Sequence, residues 1–134
     1  KLGSLKDNRD ACEKEVERLL NKLYGYDNGT VLFKPTKAKD DQFRLTFEGA
    51  KSYFIGENSA FSEDSGFALQ PLTNVRFDNA SIILNDDNAI AMGNYFFTQT
   101  NGNVVKVEYT FGYFLESNQN LKINLHHSSL PYSL

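Results

Sequence analysis

The chain has 134 residues and a net charge of −3 at pH 7, which predicts one domain with a sizeable core and no basic patch for nucleic acid. Hydrophobic residues make up 40% of the chain and aromatic residues 13%, with 11 Phe, 7 Tyr and no Trp, so we expect a core rich in aromatic rings. A single Cys excludes an internal disulfide and a cysteine-based metal site, and no apolar run approaches the ~20 residues that span a bilayer.

The first half of the chain predicts two helices. Apolar side chains recur at helical spacing over residues 7–23, and they are Cys12, Val16, Leu19, Leu20 and Leu23. Gly25 is expected to end this helix in the left-handed conformation. A shorter helix is predicted over 46–55, with Thr46 as its N-cap and Gly56 at its end.

From residue 71 onward the pattern is that of strands. Short strands at 75–77 and 81–84 are predicted on either side of a turn at 78–79. Longer strands follow at 89–98 and 104–115, joined by the hairpin signal Asn-Gly at 101–102. A long helix, a short helix and then a bent antiparallel sheet predict an α+β fold, the nuclear-transport-factor-2-like cone, in which the long N-terminal helix packs on the curved sheet.

The last strand, LKINLHHSSLPY at 121–132, contains both histidines of the chain. A strict period of two predicts an inward face made of Ile123, Leu125, His127 and Ser129. The same period places His126 and Ser128 on the opposite face, where a partner or solvent is expected. Because the two imidazoles point to opposite faces, they cannot both bind one ion, and a zinc centre with three protein ligands is disfavoured. A site of His127 with Asp64 or Glu108 has no spacing motif in its favour.

Five segments together resemble one family. They are YGYD at 24–27, VLFKPT at 31–36, EDSGFA at 63–68, MGN at 92–94 and HHSSLPY at 126–132. The chain resembles the iota-class carbonic anhydrases of algae, diatoms and bacteria, a family related by fold to the association domain of calcium/calmodulin-dependent kinase. The resemblance covers nearly the whole chain and implies a single carbonic-anhydrase-like domain over 1–134, as one repeat of a longer multi-domain protein.

The resemblance implies reversible hydration of carbon dioxide to bicarbonate with no cofactor and no metal, although manganese has been proposed for some members. The family's pocket uses a threonine, a tyrosine and a serine with a histidine beside it, which fall on Thr36, Tyr53, Ser129 and His127. Tyr113 is the alternative for the tyrosine. Our hypothesis makes His127, or Tyr53 coupled to it, the general base, while Ser129 and Thr36 bind bicarbonate.

Other functions stay open at this point. The same fold predicts, as an alternative, a non-catalytic module for oligomerisation or small-ligand binding. A different enzyme, such as an isomerase or dehydratase, would need a carboxylate facing the cavity, and Glu108 is the strand carboxylate in a suitable place. Every alternative predicts a homodimer through the exposed sheet face, with no membrane partner. From algal members with tandem domains we expect the chloroplast, with bacterial cytoplasm or periplasm as alternatives.

Overall fold

The structure, a computed structural model, describes residues 7–134. The helices within this range are α1 (Arg9–Leu23) and α2 (Phe47–Ile55), and the strands are β1 (Leu32–Lys34), β2 (Leu72–Leu84), β3 (Asn88–Gln99), β4 (Val104–Leu115) and β5 (Leu121–Ser129). The strands form one sheet in the order β1-β5-β4-β3-β2. This arrangement confirms the predicted α+β fold, with one correction: the sheet is mixed, because β1 pairs in parallel with β5.

The first helix matches its prediction, but its end does not use the expected device. Asn8 caps α1 by accepting a hydrogen bond from the Ala11 backbone N–H. Gly25 has φ −88°, outside the left-handed region, so the predicted left-handed stop is wrong. A Cβ at this position would lie 2.6 Å from the ring of Phe114, so the glycine allows a close approach of backbone to ring.

The second helix and both of its caps are confirmed. The Thr46 side chain accepts a hydrogen bond from the Gly49 backbone N–H at the start of α2. Gly56 follows the last residue with φ 68°, a conformation that favours glycine. Cys12 of α1 is buried with the aliphatic stripe of that helix, as predicted.

Strand β2 is one continuous strand where two short strands and a turn were predicted. Its pairing with β3 skips Ala80, since Asn79 pairs with Gly93 and Ser81 with Met92. Gly93 lies opposite this bulge, and a Cβ there would lie 2.8 Å from the Ala80 backbone nitrogen. The polar residues before Ala80 therefore mark a β-bulge that bends the strand, and not a reversal of the chain.

A second bulge corrects the predicted faces of β5. Tyr113 pairs with Ile123 and Gly112 pairs with Leu125, so Asn124 is an extra residue on β5. A bulge shifts the alternation by one residue, so every side chain beyond it changes face. His126 and Ser128 are therefore buried on the inner face with Ile123, and Leu125, His127 and Ser129 lie on the outer face. The prediction that these last three point inward is wrong.

The core lies between the inner face of the sheet and the two helices. Its aromatic members confirm the expected ring-rich core, and they include Tyr24, Phe33, Tyr53, Tyr95, Phe97, Tyr109 and Phe111. The inner face of β4 packs on this core with Val105, Val107, Tyr109, Phe111 and Tyr113. In the described part of the chain, no helix is both long enough and apolar enough to cross a membrane.

Candidate active site

A buried histidine lies at the centre of the inner face. His126 of β5 is stacked between the rings of Phe33 and Phe111, with centroid distances of 4.8 and 4.1 Å. Only 8% of the residue is exposed. Burial, with a smaller contribution from the neighbouring His127, lowers the pKa of His126 to about 3. The imidazole is therefore neutral at pH 7.

Both ring nitrogens of His126 have hydrogen-bond partners. Nδ1 lies 2.8 Å from the hydroxyl of Tyr24. Nε2 lies 3.0 Å from Ser128 Oγ and 3.3 Å from the hydroxyl of Tyr95. The Tyr95 hydroxyl also contacts Ser128 Oγ, and the Thr36 side chain lies close enough to lower the pKa of that hydroxyl, against the larger effect of burial. Tyr24, His126, Ser128 and Tyr95 form a hydrogen-bonded series with Thr36 beside its Tyr95 end, and we call these five side chains the polar chain.

The parallel pairing of β1 with β5 brings the two ends of this site together. Parallel strands run side by side in the same direction, so the residues that follow β1 lie beside the end of β5. Thr36 follows β1 by two residues and so lies close to Ser128. Lys34 Nζ donates a hydrogen bond of 3.0 Å to the Ser128 carbonyl, and partial burial lowers the pKa of Lys34.

Tyr53 of α2 lies on the other side of the Thr36 segment. Its hydroxyl accepts a 3.2 Å hydrogen bond from the Lys37 backbone N–H, and its ring stacks on Phe67 at 5.5 Å. Burial raises the pKa of Tyr53, so the hydroxyl remains protonated and can donate. Two small cavities meet here: one of about 50 Å³ beside Thr36 with mainly apolar walls, and one of about 180 Å³ beside Tyr53. Lys37 and Phe67 border both.

A buried ion pair holds the segment that follows Thr36. The guanidinium of Arg44 binds both oxygens of Asp64 at 2.7 Å, and Arg44 is 1% exposed. Ser52 of α2 donates a 2.5 Å hydrogen bond to Asp64, which ties the pair to the helix of Tyr53. Glu63 accepts hydrogen bonds from the backbone N–H groups of Lys39 and others nearby, which lowers the pKa of its carboxyl. Both carboxylates therefore have structural roles: Asp64 pairs with Arg44, and Glu63 binds backbone N–H groups of the segment after Thr36.

The structure separates the site residues that the sequence grouped together. Thr36 and Tyr53 lie at the inner site. His127 is exposed on the outer face and Ser129 is half-buried there, where both line an open concavity of about 540 Å³. Tyr113 is half-buried on the inner face and stacks on Phe111 at 5.8 Å, away from the cavity of Thr36.

The alternative of an isomerase or dehydratase required Glu108 to face the cavity, and this requirement is not met. This carboxylate lies on the outer face in the pair with Ser129, and it does not face the inner cavities. Within residues 7–134, no three or more His, Cys, Asp and Glu side chains come together as a metal site would require. His126 and His127 point to opposite faces, as the sequence indicated.

Sequence reasoning missed four members of the polar chain. Tyr24 is in the YGYD segment and His126 and Ser128 are in HHSSLPY, so two of the recognised motifs contained them without indicating their roles. Tyr95 directly follows MGN at 92–94. The signal that could have corrected the face of β5 is Gly112, because a glycine inside a strand often lies opposite a bulge.

The fold and the site define an α+β cone protein in which two helices pack on a curved sheet and a buried polar chain lies beside two small cavities. A calcium/calmodulin-dependent protein kinase II association domain from Xanthomonas campestris shares this fold, with a TM-score of 0.52 and 26% identity over 84% of this chain and 71% of that one. A cyanobacterial iota-carbonic anhydrase, solved in complex with bicarbonate, superposes with a TM-score of 0.89 and 37% identity, over 99% of this chain and 85% of that one.

The family follows from the sequence match. The family model of metal-independent carbonic anhydrase matches residues 1–130, so the chain belongs to this family. A metal-independent carbonic anhydrase from Nostoc is 42% identical over 118 residues, which are 87% of this chain and 58% of the relative. The chain thus spans somewhat more than half the length of that relative. The resemblance stated from the five sequence segments is confirmed.

Proposed function

We propose that this chain catalyses the reversible hydration of carbon dioxide to bicarbonate, without a metal, at the inner site formed by Thr36, Tyr53 and the polar chain. The observation that carries the proposal is a small, mainly apolar cavity in contact with Thr36, the outer end of a buried series of hydroxyls and one neutral imidazole. Family membership and the bicarbonate bound to the cyanobacterial relative support it.

The walls of the cavity suit the two sides of the reaction. Carbon dioxide is small and nonpolar, and the ring of Phe67 with the side chains of Phe97 and Val107 gives it an apolar surface. When the oxygen of water attacks the carbon, negative charge develops on the oxygens of the substrate. The hydroxyls of Thr36 and Tyr53 are positioned to donate hydrogen bonds to that charge, and such donors are most effective where water is excluded.

The polar chain acts on the reaction through Thr36. Ser128 and Tyr95 connect the Thr36 hydroxyl to His126, and hydrogen bonds in a series polarise one another in a site of low dielectric constant. The net reaction is CO₂ + H₂O ⇌ HCO₃⁻ + H⁺, and the proton passes to solvent. The bicarbonate formed keeps one oxygen near Thr36 and a second near Tyr53.

Four matched variants test this assignment in a stopped-flow assay of carbon dioxide hydration on chelator-treated protein. Thr36→Val should lower kcat by roughly 100-fold, the usual cost of removing one donor to a developing oxyanion. Ser128→Ala should lower it by about tenfold, because it interrupts the connection to His126. Circular dichroism checks that each variant is folded.

The controls are His127→Gln and Ser129→Ala, which change the same residue types one position along β5 on the outer face. Both should retain wild-type rates. If these two variants lost activity while Ser128→Ala kept it, the active site would lie on the outer face and the proposal would be wrong.

We also propose that the protein is a homodimer formed through the outer face of the sheet. β3 exposes the apolar side chains of Ile90 and Met92 on that face, and β2 adds Ile83. A second copy of this chain would bury these side chains, which would otherwise meet water. The kinship in fold with an association domain supports this occupant.

Our proposals for the compartment and for the number of domains rest on the family resemblance alone. We propose a plastid protein with this domain as one of several tandem copies. Imaging of the full-length protein in its own cell tests the compartment, and the mass of the mature protein tests the repeats.

A further inference from the structure

We propose that Tyr24 holds His126 in the tautomer protonated at Nε2, and that this orients every hydrogen of the polar chain toward Thr36. His126 is then a neutral hydrogen-bond donor that strengthens the Thr36 hydroxyl, and it is not the base that removes a proton from water. The orientation of the hydrogens does not depend on the proposed function. Its effect on the rate rests on the proposed carbonic anhydrase activity.

The hydroxyl of Tyr24 determines which nitrogen of His126 carries the hydrogen. Tyr24 is 7% exposed, and burial raises the pKa of its hydroxyl, so the group keeps its hydrogen. Within the described part of the chain, the one hydrogen-bond partner of this hydroxyl is His126 Nδ1, at 2.8 Å. The hydrogen therefore has a single acceptor, and Nδ1 must offer its lone pair to receive it.

The opposite tautomer leaves a buried donor without an acceptor. If Nδ1 carried the hydrogen, it would donate to the Tyr24 oxygen, and the hydrogen of Tyr24 would have no partner in residues 7–134. A buried donor without a partner disfavours a state by roughly 5- to 150-fold. The neutral imidazole therefore carries its hydrogen on Nε2.

The remaining hydrogens follow in order. Nε2–H donates to Ser128 Oγ at 3.0 Å, so the Ser128 hydroxyl is free to donate to the Tyr95 oxygen. The hydrogen of the Tyr95 hydroxyl then points to Thr36, the remaining neighbour whose side chain influences the pKa of that hydroxyl. The hydrogen of Thr36 is the last of the series, and Thr36 is the member that lines the cavity of about 50 Å³. In this arrangement His126 and Ser128 each accept one hydrogen bond and donate one, and Tyr24 only donates.

The surroundings of His126 keep it neutral from every side. Phe33 of β1 and Phe111 of β4 cover its two ring faces, and Tyr24, Tyr95 and Ser128 occupy its edges. Besides the two tyrosines, Lys34 binds the carbonyl of Ser128, and His127 adjoins His126 in sequence on the outer face. Both are cationic when charged, so neither would stabilise an imidazolium.

This orientation fixes the direction in which the chain can help. A proton released at the cavity meets donor hydrogens and finds no acceptor in the chain, so it leaves toward solvent. The chain instead supplies a strengthened donor to the oxygen on which negative charge develops. Tyr24 does not touch the substrate, so it is a positioning residue.

Nitrogen-15 NMR of the folded protein, labelled at histidine, tests the inference directly. There are two histidines, and His127→Gln identifies the signals of His126. Between pH 5 and 8, His126 should show a protonated Nε2 and an unprotonated, hydrogen-bonded Nδ1. A protonated Nδ1 in the wild-type protein overturns the inference, whatever the activity.

The rate effect is tested with Tyr24→Phe, which removes the hydroxyl and keeps the ring. The matched control is Tyr26→Phe, since the Tyr26 hydroxyl bonds to the Arg44 carbonyl and does not contact His126. Tyr24→Phe should shift the Nδ1 signal and lower kcat roughly tenfold with little change in KM, the effect of one lost neutral hydrogen bond. Tyr26→Phe should leave the His126 signals unchanged.

The two measurements separate the two proposals. An Nε2-protonated His126 in a wild-type protein that does not hydrate carbon dioxide would support the oriented chain and reject the proposed function. An Nε2-protonated His126 whose Nδ1 signal is the same in Tyr24→Phe would show that Tyr24 does not hold the tautomer, and this inference would fail. If Tyr24→Phe does not fold, the wild-type spectrum alone decides.

Discussion

His126 has hydrogen bonds at both ring nitrogens and no charge at neutral pH. Two aromatic rings exclude water from its faces, so the charged form loses its hydration, and no carboxylate of residues 7–134 forms an ion pair or hydrogen bond with it. The neutral form keeps one donor and one acceptor, which is what a series of hydroxyls needs. Burial thus sets the role of this residue as much as its chemical identity does.

A depressed histidine pKa makes stability depend on pH in a definite direction. The unfolded chain binds a proton at His126 below about pH 6.5, while the folded chain does so only near 3. Since the unfolded state then binds more protons, the free energy of unfolding falls as pH falls through this window. Between pH 6.5 and 5, wild-type protein should lose roughly 1.5 kcal/mol from this group.

Urea unfolding at the two pH values measures this loss, and His126→Gln should show it much reduced. The control His127→Gln removes the exposed histidine and should lose as much as the wild type. The window avoids Glu63, whose lowered pKa affects stability only below the ordinary carboxyl range. Equal losses in wild type and His126→Gln would show that His126 is accessible to protons in the folded state.

At the scale of single residues, the sequence predicted only part of the site. Thr36, from the VLFKPT segment, and Tyr53, from the second helix, both lie at the inner candidate site. His127 and Ser129 were chosen over His126 and Ser128 because a strict period of two was assumed across Asn124. A histidine and a serine do lie on the inner face, as predicted, but the bulge at Asn124 shifts their positions by one residue.

The two bulges are the elements that determine which side chains reach the site. Each lies opposite a glycine of a neighbouring strand, Gly93 for the bulge at Ala80 and Gly112 for the bulge at Asn124. Within HHSS, either frame presents one histidine and one serine two residues apart. The motif alone therefore cannot indicate the inward pair, and the bulge decides it.

The ion pair between Arg44 and Asp64 is the element that fixes the segment after Thr36. Asp64→Asn removes the charge that pairs with a guanidinium whose side chain has no exposed surface. Loss of the closer carboxylate, with only Glu63 left at 3.7 Å from the buried guanidinium, should lower the free energy of unfolding by about 3 kcal/mol. Thermal and urea unfolding measure this, and the assay of carbon dioxide hydration should show a lower rate because Thr36 is less well held.

The matched control is Asp40→Asn, in the same segment, where an exposed carboxylate is changed. It should alter the free energy of unfolding by less than about 0.5 kcal/mol, as surface substitutions usually do. A loss in Asp64→Asn no larger than in Asp40→Asn would mean that the buried pair does not stabilise the fold.

At the scale of the whole molecule, the exposed apolar side chains of the sheet predict self-association. Met92 is 56% exposed at the centre of the outer face. Sedimentation should give a species of twice the 15.2 kDa of the chain. Met92→Glu places a charge in the proposed interface and should shift the protein to monomer. A wild-type monomer at micromolar concentration would contradict the proposed dimer.

Leu23→Glu provides the control for that experiment, because Leu23 is a partly exposed leucine of α1, on the helix side of the molecule. It should remain a dimer. Dissociation by this variant as well would indicate general destabilisation and would remove the support that Met92→Glu gives.

The overall fold was more predictable than the site, for a physical reason. Long elements such as α1 and β4 repeat their pattern of buried residues many times, so an error of one residue does not change the conclusion. β1 has three residues, too few to show an alternation of buried and exposed side chains. It pairs in parallel with β5, which lies far away in the sequence, near the other end of the chain. The site depends on that short strand and on single-residue bulges, which leave little trace in the sequence.

The position of β5 in the sheet has a consequence for how the protein folds. It is the last strand in sequence but lies between β1 and β4, and Tyr24 and His126 are 102 residues apart. Contacts across such a separation form late, because a long loop must close before they stabilise anything. Until β5 docks, β1 has no neighbour, and Tyr24, Tyr95 and Thr36 have no histidine or serine to join them. Completion of the sheet and assembly of the site are therefore one event, and a partly folded chain has neither.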